Sequence, residues 1–249
     1  MVKYIGGLPT YGEVIGILKL ESIEPKVPGD IGNATTYGFP VKYKIVKGAT
    51  HERLIEKNDP TLLNLFIDAA KELEKEGVRA ITGSCGFLGI FQKEIAEIVK
   101  IPVFMSSLIQ VPLVSNMLSK NKKVGIITAN KKQLTNKHLR AVGINEDTPI
   151  CIIGMEDQEN FATVVLEQQP FGNIEKIEKE VIEISRNLIR QNSDIGAIVL
   201  ECACLPIYAR AIQEEVNLPV FDINTLINYV FMAVVQKRYT GIFPPIYNK

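Results

Sequence analysis

The sequence contains no tryptophan, only two histidines and only four cysteines among its 249 residues. Four cysteines in a chain of this length do not form a disulfide framework, and their spacing does not fit zinc ligation. We therefore expect free thiols, no metal, and a reducing, cytoplasmic compartment. His51 and His138 have no evident partner in the sequence, so we expect both on the surface or on a helix face.

The chain also lacks an excess of charge of either sign, since its formal net charge is zero. This balance gives no indication of a nucleic-acid or anionic-membrane partner. The first residues, 1–7, carry no long apolar core of the signal-peptide type, and no apolar run approaches membrane-spanning length. With 46% hydrophobic residues the chain can bury a substantial core. Base rates for enzymes of this size favour a homo-oligomer, and we expect a dimer.

One segment of the chain occurs twice. Residues 80–104 align without a gap to residues 197–221, at an offset of 117, and 11 of the 25 aligned positions are identical. One of the identical positions is a cysteine, since Cys85 aligns with Cys202. The repeat predicts two related halves, each of which presents a thiol from the same place.

Buried-type strands alternate with helical segments along the chain, which predicts parallel sheets covered by helices on both faces. The fold class is therefore α/β, with two pseudo-symmetric, doubly wound parallel-sheet units and an active site at their interface. We assign residues 1–118 to the first unit and 119–223 to the second, with 224–249 packing back on the first. Both cysteine turns follow a strand, and parallel sheets bind ligands beyond the carboxyl ends of their strands.

Two equivalent thiols suit the inversion of a carbon stereocentre, because one group removes a proton from one face and the other returns a proton to the opposite face. Cys85 and Cys202 each precede a helix, so we expect helix-end N–H groups to lower the pKa of both thiols. The same N–H groups can hold a substrate carboxylate. These two cysteines are the predicted catalytic pair, while Cys204 and Cys151 are predicted to be packing residues.

The paired cysteine turns, with Leu-x-Cys-x-x-x-Pro in the second half, resemble the aspartate/glutamate racemase superfamily. This resemblance implies a cofactor-independent enzyme with no pyridoxal phosphate or metal, a small carboxylate substrate, and catalysis by Cys85 and Cys202. It also implies substrate contacts from four residues beside these turns and after the strand that opens the second half: Ser84, Gly86, Thr128 and Ala203. Members of the superfamily usually have Asn-Thr after the first cysteine, where this chain has Gly86 and Phe87, and we include Phe87 among the substrate-binding candidates.

Three further polar residues are candidates for substrate contact, and each has an ordinary structural alternative. Ser106 and Asn130 follow predicted strands, where either residue could simply cap the next helix. Asn33 lies in the long 21–40 segment, where it could shape a turn or belong to a lid. Thr128, like Asn130, could simply cap the next helix.

The leading functional hypothesis is a racemase or epimerase that inverts the α-carbon of a small acidic amino acid or related carboxylate. An isomerase or decarboxylase on the same scaffold is the first alternative, of the maleate isomerase, arylmalonate decarboxylase or hydantoin racemase type. A non-catalytic ligand-binding protein is the second.

Overall fold

A computed structural model describes residues 6–242 of the chain. Its strands form two four-stranded sheets, and every pairing in them is parallel. The order is β2-β1-β3-β4 in the first sheet and β6-β5-β7-β8 in the second. The strands are β1 (Ile15–Glu21), β2 (Val41–Thr50), β3 (Ala80–Gly83), β4 (Val103–Phe104), β5 (Lys123–Thr128), β6 (Ile150–Gly154), β7 (Ile195–Leu200) and β8 (Val220–Phe221). The two-unit α/β architecture predicted from the repeat is confirmed.

Helices connect the strands, because parallel strands require crossover connections. They are α1 (Leu62–Lys75), α2 (Gln92–Ile98), α3 (Val111–Met117), α4 (Asn136–Ala141), α5 (Glu159–Phe161), α6 (Ile174–Gln191), α7 (Ala209–Val216) and α8 (Ile223–Val234). The apolar positions of α1 recur at helical spacing, and Phe66 and Leu73 on that face are fully buried. No helix within residues 6–242 is long and apolar enough to cross a membrane.

The last helix returns to the first sheet. Ile223 and Ile227 of α8 belong to a buried cluster that also contains Ile15 and Ile17 of β1. The Asn224 side chain donates to the Gly29 carbonyl in the long loop after β1, at 2.8 Å. The final residues of the segment that we assigned to this packing, 243–249, lie outside the described residues.

Two short π-helices occupy matching places in the two units. The first spans Glu52–Glu56 and follows β2, and the second spans Ala162–Leu166 and follows β6 and α5. Each is followed by a residue with left-handed backbone, Asn58 (φ 46°) and Gln168 (φ 58°). Such wide turns are uncommon and often occur at functional sites.

Candidate active site

The two cysteine turns touch each other at the interface between the units. Cys85 follows β3 and Cys202 follows β7, so both lie at carboxyl ends of their sheets. Gly86 fits closely against the second turn, since a Cβ there would stand 2.4 Å from the Glu201 carbonyl oxygen. Only glycine allows this approach of the two backbones. The two sulfur-bearing side chains line one shared cavity.

This cavity is bounded by the cysteine turns, the loop after β1, the start of the loop after β5 and both π-helices. Its remaining lining residues are Ser22, Glu24, Lys26, His51, Ile55, Ser84, Phe87, Ala129, Val165, Leu166, Glu201, Ala203 and Cys204. Including the part that opens to solvent, it encloses about 410 Å³. The walls are mainly apolar, and a few polar groups converge between them, which is typical of small-molecule sites.

Burial dominates the electrostatics of the first thiol. It raises the pKa of Cys85 well above the ordinary value, and the nearby Glu201 carboxyl raises it further. A backbone hydrogen bond from Phe87 favours the thiolate, but its effect on the pKa is smaller than that of burial and Glu201. The expectation that a helix end lowers this pKa is therefore wrong for Cys85, because the turn leads into a short 3-10 helix, Gly86–Phe91, and the thiol is buried.

Cys204 is a third thiol at the same cavity, although we predicted a packing role for it. A hydrogen bond with the Cys202 thiol, together with burial, raises the pKa of Cys204 well above its usual range. Cys151 is different, because it lies in β6 and its thiol donates to the Asn192 side chain at 3.0 Å. It does not line the cavity.

Glu201 is a buried carboxyl next to the second cysteine. One of its oxygens, Oε2, accepts from the Thr128 hydroxyl at 2.8 Å and from the Ala129 N–H at 3.3 Å. The other, Oε1, is buried with no hydrogen-bond partner among residues 6–242. Burial raises the pKa of Glu201 to about 7, and the two hydrogen bonds oppose that shift. Near neutral pH this group is therefore divided between its acid and carboxylate forms.

A charged cluster in the long loop after β1 forms another side of the site. Lys26 and Glu24 form an ion pair there, and the Glu24 side chain is only 3% exposed. Asp30 accepts from the Gly32 N–H at 2.6 Å, and burial raises its pKa. The Lys19 ammonium is buried nearby without a partner in the described chain, and burial lowers its pKa. The sequence predicts only a turn-shaping role for Asp30 in its loop and gives no indication of a role for Lys19, Glu24 or Lys26.

The π-helices meet above the cavity. His51, just before the first of them, lies 2.7 Å from the Gln168 amide nitrogen, and that amide also donates to the Val165 carbonyl at 2.6 Å. Burial lowers the pKa of His51, which keeps its ring neutral. The histidines were expected on the surface or on a helix face. His138 lies on the helix α4, but on its buried side, where its ring packs edge-on against Phe87. His51 is half-buried.

Several predicted substrate-binding residues lie elsewhere or have internal partners. Ser84, Phe87 and Ala203 do line the cavity, whereas Gly86 packs against Glu201. Four others are outside its lining and are engaged as caps or supports. Ser106 accepts from the Leu108 N–H, Asn130 from the Gln133 N–H, Asn33 from the Thr35 N–H, and Thr128 donates to Glu201.

A sequence profile of the Asp/Glu/hydantoin racemase family matches residues 49–227 of this chain, which include both cysteine turns and both π-helices. The chain belongs to the Asp/Glu/hydantoin racemase family. Within the described residues no group of three or more His, Cys, Asp or Glu side chains is placed to hold a metal ion.

Among curated relatives, the chain is similar to a dimethylsulfoniopropionate lyase of Durusdinium sp. clade D, with 32% identity over 92% of this chain and 77% of that one. It is also similar to dimethylsulfoniopropionate lyase 3 of Emiliania huxleyi strain CCMP1516, with 29% identity over 92% of this chain. It spans 61% of that relative's length.

Two solved structures share the fold. A sulfate-associated variant of arylmalonate decarboxylase superposes with a TM-score of 0.58 at 13% identity, covering 90% of this chain and 95% of that one. An aspartate racemase homologue from Pyrococcus horikoshii OT3 gives 0.55 at 19% identity, covering 89% and 99%. At these identities the likeness shows the scaffold and not the reaction.

Proposed function

We propose that this chain is a cofactor-independent lyase that acts on a small sulfonium carboxylate of the dimethylsulfoniopropionate type. The supporting observation is a cavity in which the Cys85 and Cys202 thiols lie together with the Lys26 ammonium, between mainly apolar walls. The lyases named above, aligned over nearly the whole chain, support the substrate class.

The reaction is a β-elimination. A base removes a proton from the carbon next to the carboxylate, and the electron pair of that C–H bond forms the new C=C bond. The C–S bond on the neighbouring carbon breaks, and its electron pair leaves with sulfur as neutral dimethyl sulfide. The remaining product is acrylate, and the proton stays on the enzyme until it passes to water.

Cys202 is the better candidate for the base, because burial and the Glu201 carboxyl both oppose a thiolate at Cys85. The Lys26 ammonium can hold the substrate carboxylate, onto which negative charge spreads as the proton leaves. A preorganised cation at that point stabilises the transition state more than the ground state. Cys85 then serves as a neutral thiol that donates a hydrogen bond across the cavity.

The test is release of dimethyl sulfide from dimethylsulfoniopropionate by the purified chain, measured by gas chromatography of the headspace. Because a general base contributes about 10²–10⁴-fold, Cys202→Ser should lower kcat by at least ~100-fold. Cys151→Ser is the matched control, since that thiol lies outside the cavity, and it should keep wild-type turnover. No release by the wild-type chain, or full turnover by Cys202→Ser, would refute the proposal.

A racemase remains the second candidate, and the repeat favours it because Cys85 and Cys202 occupy equivalent positions 117 residues apart. A two-base racemase requires both thiols. Proton NMR in D₂O distinguishes the two reactions: a racemase exchanges the α-hydrogen of aspartate or glutamate for deuterium, whereas the lyase leaves both amino acids unlabelled.

A further inference from the structure

Glu24 lies where two cavities meet. It lines the thiol cavity together with Cys85 and Cys202, and it also lines a neighbouring cavity on the other side of the Cys204 side chain. Its side chain is 3% exposed, although it is placed in the long loop after β1. A carboxylate so deeply buried has lost nearly all its hydration, which costs free energy unless other charges or donors replace the water.

The protein supplies a partner for only one of the two Glu24 carboxylate oxygens. Oε1 of Glu24 pairs with the Lys26 ammonium, while Oε2 is buried with no hydrogen-bond partner in the described part of the chain. Burial alone would raise the pKa of Glu24, but the Lys26 charge and hydrogen bond bring it below the ordinary value. The group is therefore an anion with one unsatisfied oxygen beside the thiols.

The second cavity shows which kind of cation suits this oxygen. Beyond Glu24 its walls are mostly hydrocarbon and aromatic, from side chains of α5, the second π-helix, α6 and the turn before α7: Phe161, Val164, Val165, Ile174, Ile177, Ile207 and Tyr208. A primary ammonium carries three N–H donors and needs several acceptors, for which the lining beyond Glu24 offers the side-chain oxygens of Asp30 and Tyr208 among mostly apolar groups. A cation whose substituents are alkyl groups needs none and gains by burying its methyl groups there.

We propose that Glu24 is the specificity-determining residue that holds the cationic alkyl head of a zwitterionic substrate, while Lys26 turns from Glu24 to the substrate's carboxylate. The ion pair between Glu24 and Lys26 is then replaced by two ion pairs with the ligand, one from Glu24 to its cation and one from Lys26 to its carboxylate. Neither Glu24 nor Lys26 is left without an oppositely charged partner in either state, which avoids the large cost of a buried unpaired ion. This inference rests on the proposed lyase function, because it assigns the part of that substrate that the thiols and Lys26 do not hold.

The experiment compares two unreactive ligands of nearly equal shape by isothermal titration calorimetry. One is 3-(trimethylammonio)propionate, which has a cationic head, and the other is 4,4-dimethylpentanoate, in which carbon replaces nitrogen. Wild-type protein should bind the cationic ligand at least ~10-fold more tightly, equivalent to about 1.4 kcal/mol. Glu24→Gln should abolish this preference, whereas Glu97→Gln, the same change at an exposed site on α2, should keep it.

Because Glu24→Gln leaves Lys26 without its partner and so risks misfolding, a second variant is measured as well. The double variant Glu24→Gln/Lys26→Met removes both charges together, and it should lose the cation preference and bind both ligands weakly. Equal affinity of the wild-type protein for the two ligands would overturn the inference, as would a preference that survives in either Glu24 variant.

Turnover of dimethylsulfoniopropionate separates this inference from the proposed function. If wild-type protein prefers the cationic ligand through Glu24 but releases no dimethyl sulfide, the lyase proposal fails and the cation site stands. If dimethyl sulfide is released while Glu24→Gln keeps the cation preference, the lyase proposal stands and the role of Glu24 is refuted.

Discussion

The buried carboxyl of Glu201 should make the stability of the protein depend on pH in a way that one substitution removes. Burial raises its pKa to about 7 in the folded protein, against 4.5 for an ordinary glutamate. The folded state thus binds this proton more tightly than the unfolded state. The resulting stability is fully present below about pH 4.5, falls as the pH rises, and is lost once the pH has passed through about 7.

The magnitude follows from the two pKa values. At 1.36 kcal/mol per pH unit, the separation is worth about 3 kcal/mol in all, of which about 2.5 kcal/mol falls between pH 5 and pH 8. Glu201→Gln keeps an oxygen that can accept from Thr128 and Ala129 but cannot ionise. Relative to wild type, the variant should therefore become more stable by about 2.5 kcal/mol as the pH is raised from 5 to 8.

The assay is urea unfolding followed by far-ultraviolet circular dichroism at pH 5, 6, 7 and 8, for wild type and variant. Taking the difference between the two proteins cancels the titration of every other group. Glu97→Gln provides the control, since Glu97 is exposed and its substitution should give a difference that does not change with pH. If the difference for Glu201→Gln is flat to within about 0.5 kcal/mol, which is the usual scale of surface effects, the reasoning about this carboxyl is refuted.

Three other substitutions test the same interface and core by their effect on the thermal unfolding midpoint. Gly86→Ala should destabilise the protein by at least about 1–3 kcal/mol, because the new Cβ would meet the Glu201 backbone at 2.4 Å; an unchanged midpoint would contradict the close contact of the two turns. Thr128→Val removes the hydroxyl that donates to Glu201 and should cost about 1–3 kcal/mol at pH 8, with a smaller cost at pH 5; equal costs at the two pH values would contradict it. Phe66→Ala should cost about 3–5 kcal/mol, because Phe66 is fully buried in the first unit, and a cost below about 1 kcal/mol would show that this core is loosely packed.

The sequence predicts the parts of this molecule that depend on a repeated local pattern. The alternation of buried-type strands with helices predicts the parallel sheets, and the repeat of 80–104 at 197–221 predicts two related halves with Cys85 and Cys202 in equivalent positions. Parallel sheets bind ligands beyond the carboxyl ends of their strands, and two related units that face each other bring these ends together, so even the position of both cysteine turns beside one cavity can be argued without coordinates.

Other features of the site could not be predicted, because they depend on tertiary neighbours. Glu24 and Lys26 lie in a loop without periodicity, and nothing local indicates that this loop folds back beside the thiols. The raised pKa of Cys85 arises from burial and from Glu201, which is more than a hundred residues away in the chain. The one available signal was the length of the 21–40 segment, since long loops in compact domains are often functional.

The matched π-helices carry a consequence for the ancestry of the molecule. They begin 110 positions apart, at Glu52 and Ala162, and the left-handed residues after them, Asn58 and Gln168, are separated by the same 110 positions. A π-helix, with hydrogen bonds between residues i and i+5, is rare. Its presence at the same place in both units indicates that it arose once, in a half-sized precursor, before the gene was duplicated. The two halves nevertheless differ at the cavity, with Ser84 before one cysteine and Glu201 before the other, so one chain holds two equivalent thiols in unequal surroundings.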